Sequence, residues 1–347
     1  MSRWPPMAAM ATAAAALLPL LVGPPIPTSL GSELRTTYGT ATTVCSLTDR
    51  RLAEVSGGVA TDVGYVVQTD KSLNFLTLDG ACKVADAAAF ASKKSVDTED
   101  LARGPDGTLW LADTGGNRIT RSSVRMVGRR PDGRRVTVVL RLPAGPVDIE
   151  AVIVSNSSNV VMVTKASDGK SHVYWAPMPT SLGQESFASL TDVGVLDVRA
   201  LNDLTDGQRS PLVTGAALSP DGSHVALRTY TDVFEYDVGS TAIPRQLVAE
   251  TPRWVGQVTQ PQGEAVLYTR DGSAFVLFSE QRNSPVLRID ITRTLRSTGA
   301  VAAVPSWYSL ALLPPAALAG IGGVILGLRA TGRRRHRRAS TAEEAQP

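Results

Sequence analysis

Five stretches of the chain repeat one pattern of polar and apolar positions: a small or acidic turn, a short apolar run, a second turn, and a second apolar run. They read EVSGGVATDVGYVVQTD at 54–70, DTEDLARGPDGTLWLADTGGN at 97–117, DIEAVIVSNSSNVVMVTK at 148–165, VTGAALSPDGSHVALRTYTDVFEYDV at 213–238 and QGEAVLYTRDGSAFVLFSE at 262–280. Three carry Asp-Gly between the runs, at Asp106-Gly107, Asp221-Gly222 and Asp271-Gly272. That dipeptide accepts the positive φ of a tight hairpin, so each stretch reads as two antiparallel strands. Further apolar runs follow: NFLTLDG (74–80), RVTVVLRL (135–142), HVYWAPM (172–178), VFEYDV (233–238) and PVLRIDI (285–291). Several strands per repeat, at a spacing near ~50 residues and with no helical pattern between, predict an all-β fold: a β-propeller. Five blades are read, and a sixth, degenerate one is left open. The strand near Ala41–Val44 is expected to close the ring with the last blade, and SLTDVGVLDV (189–198) to be the outer strand of the third. A β-sandwich is the alternative, but sandwiches do not show five repeats in phase.

The two ends have a different pattern. Arg3 precedes an apolar stretch from Met7 to Val22, and Pro24, Pro25 and Pro27 end it. This is the layout of a signal peptide, expected over residues 1–32, with an uncleaved anchor as the alternative. From Ser309 to Leu328 no residue is charged. A helix of that length spans about 30 Å, the thickness of a hydrocarbon core. Trp307 and Tyr308 stand before it, and Arg329, Arg333, Arg334, Arg335, Arg337 and Arg338 follow it. The expected organisation is therefore a signal segment (1–32), a propeller ectodomain (36–304), a transmembrane helix (305–328) and a basic tail (329–347). Because arginines stay on the cytoplasmic side, the ectodomain is expected outside the cell and the C-terminus in the cytoplasm. The formal charge of +3 over the whole chain is dominated by those arginines. With the tail and Arg3 set aside, the remainder is slightly acidic, which argues against nucleic acid as a partner.

There are two cysteines, Cys45 and Cys82, and no C-x-x-C. In an exported chain they predict one disulfide rather than a metal site, two core thiols being the alternative.

EVSGG at 54–58, with DTEDLA at 97–102 and PDGTLWLADTGGNR after it, resembles the propellers of the SdiA-regulated and esterase-like phytase group. With IEA, VTK, VTGAALSPDG, LRTYTD, GEA and FSE in that order, residues 45–290 are similar to a family of secreted or membrane-anchored actinobacterial propellers. The resemblance implies the propeller fold and leaves activity unassigned. TGGNR at 114–118 departs from relatives that carry an Asp after the first Gly.

In a blade, the start of the innermost strand and the end of the second lie at the same end of the central channel. The repeats thus pair Gly57 with Asp70, Glu99 with Asp113, Glu150 with Lys165, Gly215 with Arg228, and Glu264 with Glu280. Asp70, Glu99, Asp113, Glu150, Lys165, Arg228, Glu264 and Glu280 are expected around one channel mouth. Three readings of that ring stand side by side. The glutamates can accept backbone N–H bonds and pair with Lys165 and Arg228. Glu99, Glu150 and Glu264 can hold Ca²⁺ or a similar hard cation through oxygen ligands. The two cations can instead hold a small polar or anionic ligand. No G-x-S-x-G, H-E-x-x-H, P-loop or dinucleotide motif is present. His172 and His224 fall in strands, where a lone histidine is usually structural. The expected function is a ligand- or protein-binding scaffold module outside the cell. The alternative is a metal-dependent hydrolase of phosphate or carboxylic esters.

Overall fold

The computed structural model describes residues 32–297 apart from 71, 90–96, 117–120, 144, 146, 180–183, 203–208 and 239–241. Residues 35–294 form one compact unit. Of a second unit, residues 1–34 and 295–347, only the strand ends at 32–34 and 295–297 are described. The expected signal segment (but for Ser32), transmembrane helix and basic tail lie outside the described residues. No helix among the described residues is long and apolar enough to cross a membrane.

Two strands, β1 (Ser32–Tyr38) and β2 (Thr42–Ser46), precede the first blade. Blade 1 is β3 (Val55–Ala60), β4 (Gly64–Thr69), β5 (Ser72–Asp79) and β6 (Val84–Ala89). Blade 2 is β7 (Thr98–Arg103), β8 (Leu109–Asp113), β9 (Ser123–Arg129) and β10 (Arg135–Arg141). Blade 3 holds β11 (Ile149–Val154), β12 (Asn159–Thr164) and β13 (Lys170–Pro177). The chain then leaves it as β14 (Glu185–Ser189), which adds to blade 2 in parallel with β10, and returns as β15 (Thr191–Asp197), the outer strand of blade 3. After α1 (Val198–Asn202), blade 4 is β16 (Val213–Leu218), β17 (His224–Thr229), β18 (Asp232–Asp237) and, beyond α2 (Ile243–Ala249), β19 (Trp254–Gln257). Blade 5 is β20 (Gly263–Tyr268), β21 (Ala274–Ser279) and β22 (Pro285–Ser297), completed by β1 and β2, both paired with β22.

The innermost strands β3, β7, β11, β16 and β20 each touch the next, and β20 touches β3 again, so the ring closes at five blades. Closure by β2 sets Thr42 opposite Arg288 and Cys45 opposite Val286. Every residue of β11 is buried, as a strand covered on both faces requires. Farther out, β10 buries Val136, Val138 and Leu140 and exposes Arg135 and Arg141, the alternation of a half-covered strand. The core is divided into five apolar clusters, one between each pair of adjacent blades. The three Asp-Gly glycines turn their hairpins at φ of +81°, +72° and +68°, and in blade 3 Ser158 takes that place at +56°.

Two short helices correct the expectation that no helix interrupts the strands. In α2, Pro244 stands in the first turn, and Ile243 and Leu247 are buried in the cluster between blades 3 and 4. One apolar pair four residues apart is too little periodicity to read from sequence. The predicted disulfide joins Cys45 in β2 to Cys82, in the turn after β5, with Cα atoms 6.0 Å apart.

Candidate functional site

Each innermost strand begins with a break in register. The ladders skip from Val55 to Gly57, Thr98 to Asp100, Ile149 to Ala151, Val213 to Gly215 and Gly263 to Val266. The residue at the break is the extra one of a β-bulge, which re-aims its side chain. Four of the blades place Ser56, Glu99, Glu150 and Thr214 there, and Glu264 falls within the break of the fifth; all are buried. Gly57 and Gly215 therefore lie one position beyond the glutamates with which the repeats align them. At Gly57 a Cβ would overlap the backbone of Asp100 and Leu101, and at Gly215 it would stand 2.8 Å from the Glu264 carbonyl. Close approach of neighbouring strands explains both glycines. Gly57 opposes Gln68 rather than Asp70, whereas Gly215 does oppose Arg228.

Glu99, Asp148 and Glu150 converge, with one oxygen of each lying within 4.8 Å of the others. Gly115 makes room for the group, since a Cβ there would overlap the carboxylates of Glu99 and Asp97. Asp148 also accepts the Gly116 N–H at 2.7 Å. Lys165 ion-pairs with Glu150 at 3.1 Å, and its Nζ lies 5.1 Å from the centre of the Tyr230 ring. Gln262 donates to Glu264 at 2.8 Å and to Glu280 at 2.6 Å, tying those two together.

These groups repel one another in a dry setting. Burial, with Glu150, Asp70, Asp97 and Asp148 beside it, pushes Glu99 up to about 10. Burial raises Glu150 to about 8 although Lys165 pulls the other way. Glu264 is held well above the usual carboxylate range by burial, against the pull of Lys165 and Gln262. Burial, then Asp70 and Glu54, raise Glu280 to about 7. Burial works to lower Lys165, but Glu150 and Glu264 outweigh it and hold the ammonium well above its ordinary value. Carboxylates thus outnumber cations at this end of the channel, and protons supply part of the balance.

Two of the expected members are engaged by further partners. Asp113 is fully buried and bound by Arg121 at 3.2 Å and by Arg125, and it accepts the Asp97 N–H at 3.2 Å. It is neutralised and positions the Asp97 turn. Arg228 is also fully buried, with its guanidinium packed on Gly263 and donating to Gln260 at 2.8 Å. Burial lowers it to about 10, with Asp232 and Glu264 opposing. Glu264 lies outside the converging trio, whose third carboxylate is Asp148.

Asp100 escaped the sequence reading. Its carboxylate accepts the N–H of Leu101 at 2.8 Å, of Val152 at 2.7 Å and of Ala216 at 3.4 Å. It crosses from blade 2 to the innermost strands of blades 3 and 4, next to Glu99. Burial raises it to about 7 despite those bonds. The available signal was DTED itself: a bulge lets consecutive residues both turn inward, which a regular strand forbids.

Fold and site define a five-bladed β-propeller with an acidic cluster at one end of its channel. No described protein family and no curated protein matches the chain in sequence. In structure it is similar to a gluconolactonase-like protein, 13% identical with a TM-score of 0.43 over 77% of this chain and 94% of that one. It is also similar to a glutaminyl cyclase from Myxococcus xanthus, 14% identical with a TM-score of 0.45 over 73% and 97%. Likeness at this level carries nothing about chemistry, and the blade count rests on the ring of strands itself.

Proposed function

We propose that the propeller is a binding module that takes a hard divalent cation, Ca²⁺ in the first instance, at the channel mouth. The observation that carries this reading is the convergence of Glu99, Asp148 and Glu150 within 4.8 Å. Oxygen-only donors from dispersed positions suit Ca²⁺, whose coordination is flexible. Lys165 bears on Glu150 and Glu264, which leaves the Glu99 and Asp148 side of the trio for the ion. Glu99 and Glu150 would supply ligands from neighbouring bulges, with Asp148 held in place by Gly116. Calorimetry on chelator-treated protein should find saturable Ca²⁺ uptake and a rise in melting temperature. Glu99→Gln should weaken uptake by about ten-fold or more while leaving the metal-free melting temperature unchanged, because burial and its neighbours already keep that carboxyl from ionising. Uptake indifferent to Glu99→Gln, or no saturable uptake, contradicts the proposal.

The same proposal places the module outside the cell, held by the uncharged segment 309–328 with its arginines inside. Support comes from the length of that segment and the one-sided arginines. Protease added to intact cells should digest the propeller and spare a tag placed after Pro347. Loss of that tag in sealed cells reverses the orientation.

A further inference from the structure

A cavity lies at the opposite end of the channel from the glutamates. It occupies about 680 Å³ and runs from the turns after the innermost strands inward to Leu101, Val152 and Ala216. The backbone N–H groups of those three residues are the ones that Asp100 binds, so its carboxylate stands between the inner end of the cavity and the glutamates. Leu101, Val152 and Leu267 are closed into the clusters between blades, so the lining is mixed: backbone polar groups with the partly exposed side chains of Val59, Ala217 and Leu218. At the rim stand two arginines from different blades, Arg103 at the end of β7 and Arg270 in the turn after β20.

Both guanidiniums are incompletely used. Arg103 donates one bond, to the Ala60 carbonyl at 3.1 Å, and Arg270 one, to Asp62 at 3.3 Å. Their other nitrogens have no hydrogen-bond partner among the described residues. Acidic groups nearby do not fill the gap. Asp62 stands out in solvent, and Asp106 turns its carboxylate onto the Thr108 N–H and hydroxyl at 3.0 and 2.8 Å. Burial, and then the charge of Arg270, lower Arg103 below its ordinary value. A cavity of this size, with a few partly exposed apolar side chains and charged groups on one side, has the form of a small-molecule site. Two guanidiniums at its rim select the sign of the ligand's charge.

We propose that this cavity binds an organic anion, with its acid group between Arg103 and Arg270 and its apolar body against Val59, Ala217 and Leu218. The proposal is independent of Ca²⁺ at the mouth. It is tested by calorimetry on the detergent-solubilised full chain, with detergent alone as blank. The probes are 2-naphthoate, its cationic counterpart 2-naphthylmethylammonium, and inorganic phosphate. Saturable binding of 2-naphthoate is expected, with neither of the others matching it. Arg270→Gln should weaken it about ten-fold or more, the loss of a charge-assisted contact. Arg270 is half-exposed, so this variant should fold even if Arg103→Gln does not. Equal binding of the ammonium compound overturns the charge assignment, and equal binding of phosphate overturns the role of the apolar side chains. Undiminished binding to Arg270→Gln, or no binding of 2-naphthoate, overturns the site.

Discussion

Asp100 and Glu280 show how single carboxylates report on this interior. Both titrate near 7 in the folded chain, against an ordinary carboxylate value of about 4. Between those values the folded protein keeps protons that the unfolded chain has released. Stability should then fall as pH rises through that window. Below it, Asp221 and Asp271, held down to about 2 chiefly by hydrogen bonds with their neighbours (which for Asp221 outweigh burial), lose their contribution in turn. The metal-free melting temperature is expected to peak near pH 5 and to decline toward pH 8, and Glu280→Gln should flatten the decline. A melting temperature that climbs from pH 5 to 8 contradicts the assignment. Asp100→Asn, one acceptor oxygen in place of two, strands a buried N–H and should cost about 1–3 kcal/mol by denaturant unfolding. At this scale the sequence was only partly legible. Glu99, Glu150 and Glu264 were readable because they recur at one place in the repeat. The bulge was not, since an inserted residue leaves no mark in composition, and it set Gly57 and Gly215 one step out.

Among the elements, the hairpins with Asp-Gly turns were readable because their signal is local. Strands β6, β9 and β19 were not. β6 is VADAAA and β19 is four residues long, while β9 mixes arginines into its apolar run. Their positions are set by the neighbouring strand rather than by their own propensity. The closing contact of β1 was equally hidden, since it depends on residues about 200 positions apart. Glu235 on β18 is fully buried and accepts from Tyr38 of β1, Tyr268 of β20 at 2.7 Å and Arg293 of β22 at 2.9 Å. Arg253 stands 3.8 Å away, and Tyr38 stacks on Trp254 at 4.2 Å. One carboxylate thus binds blade 4, blade 5 and the N-terminal strand together. Glu235→Ala leaves two half-buried arginines and two hydroxyls without this acceptor and should cost about 3–5 kcal/mol. Tyr38→Phe removes one bond and should cost about 1 kcal/mol. Chemical unfolding of the two variants checks the ranking, and equal losses would deny Glu235 its central place.

For the molecule as a whole, the ring has a seam where β2 lies on β22, and the disulfide stands beside it, tying β2 to the outer hairpin of blade 1. Cys45 and Cys82 are 37 residues apart, a loop whose closure stabilises by roughly 3–4 kcal/mol in the chain-entropy account. Reduction, or Cys45→Ser with Cys82→Ser, should lower stability by about that amount without changing the sheet content seen by circular dichroism. A reduced chain as stable as the oxidised one would show that the strand pairing alone holds the seam.

That seam also dictates an order of events during synthesis. Thr42 meets Arg288 only after nearly the whole propeller has been made, so β2 must wait while four blades assemble. A waiting strand is an open edge, ready to pair with another chain. The Cys45–Cys82 bond needs only the first blade's residues, so it can form early and hold β2 at the place where β22 will arrive. It shortens the search that ends folding, and a chain lacking it should lose yield to aggregation before it loses stability.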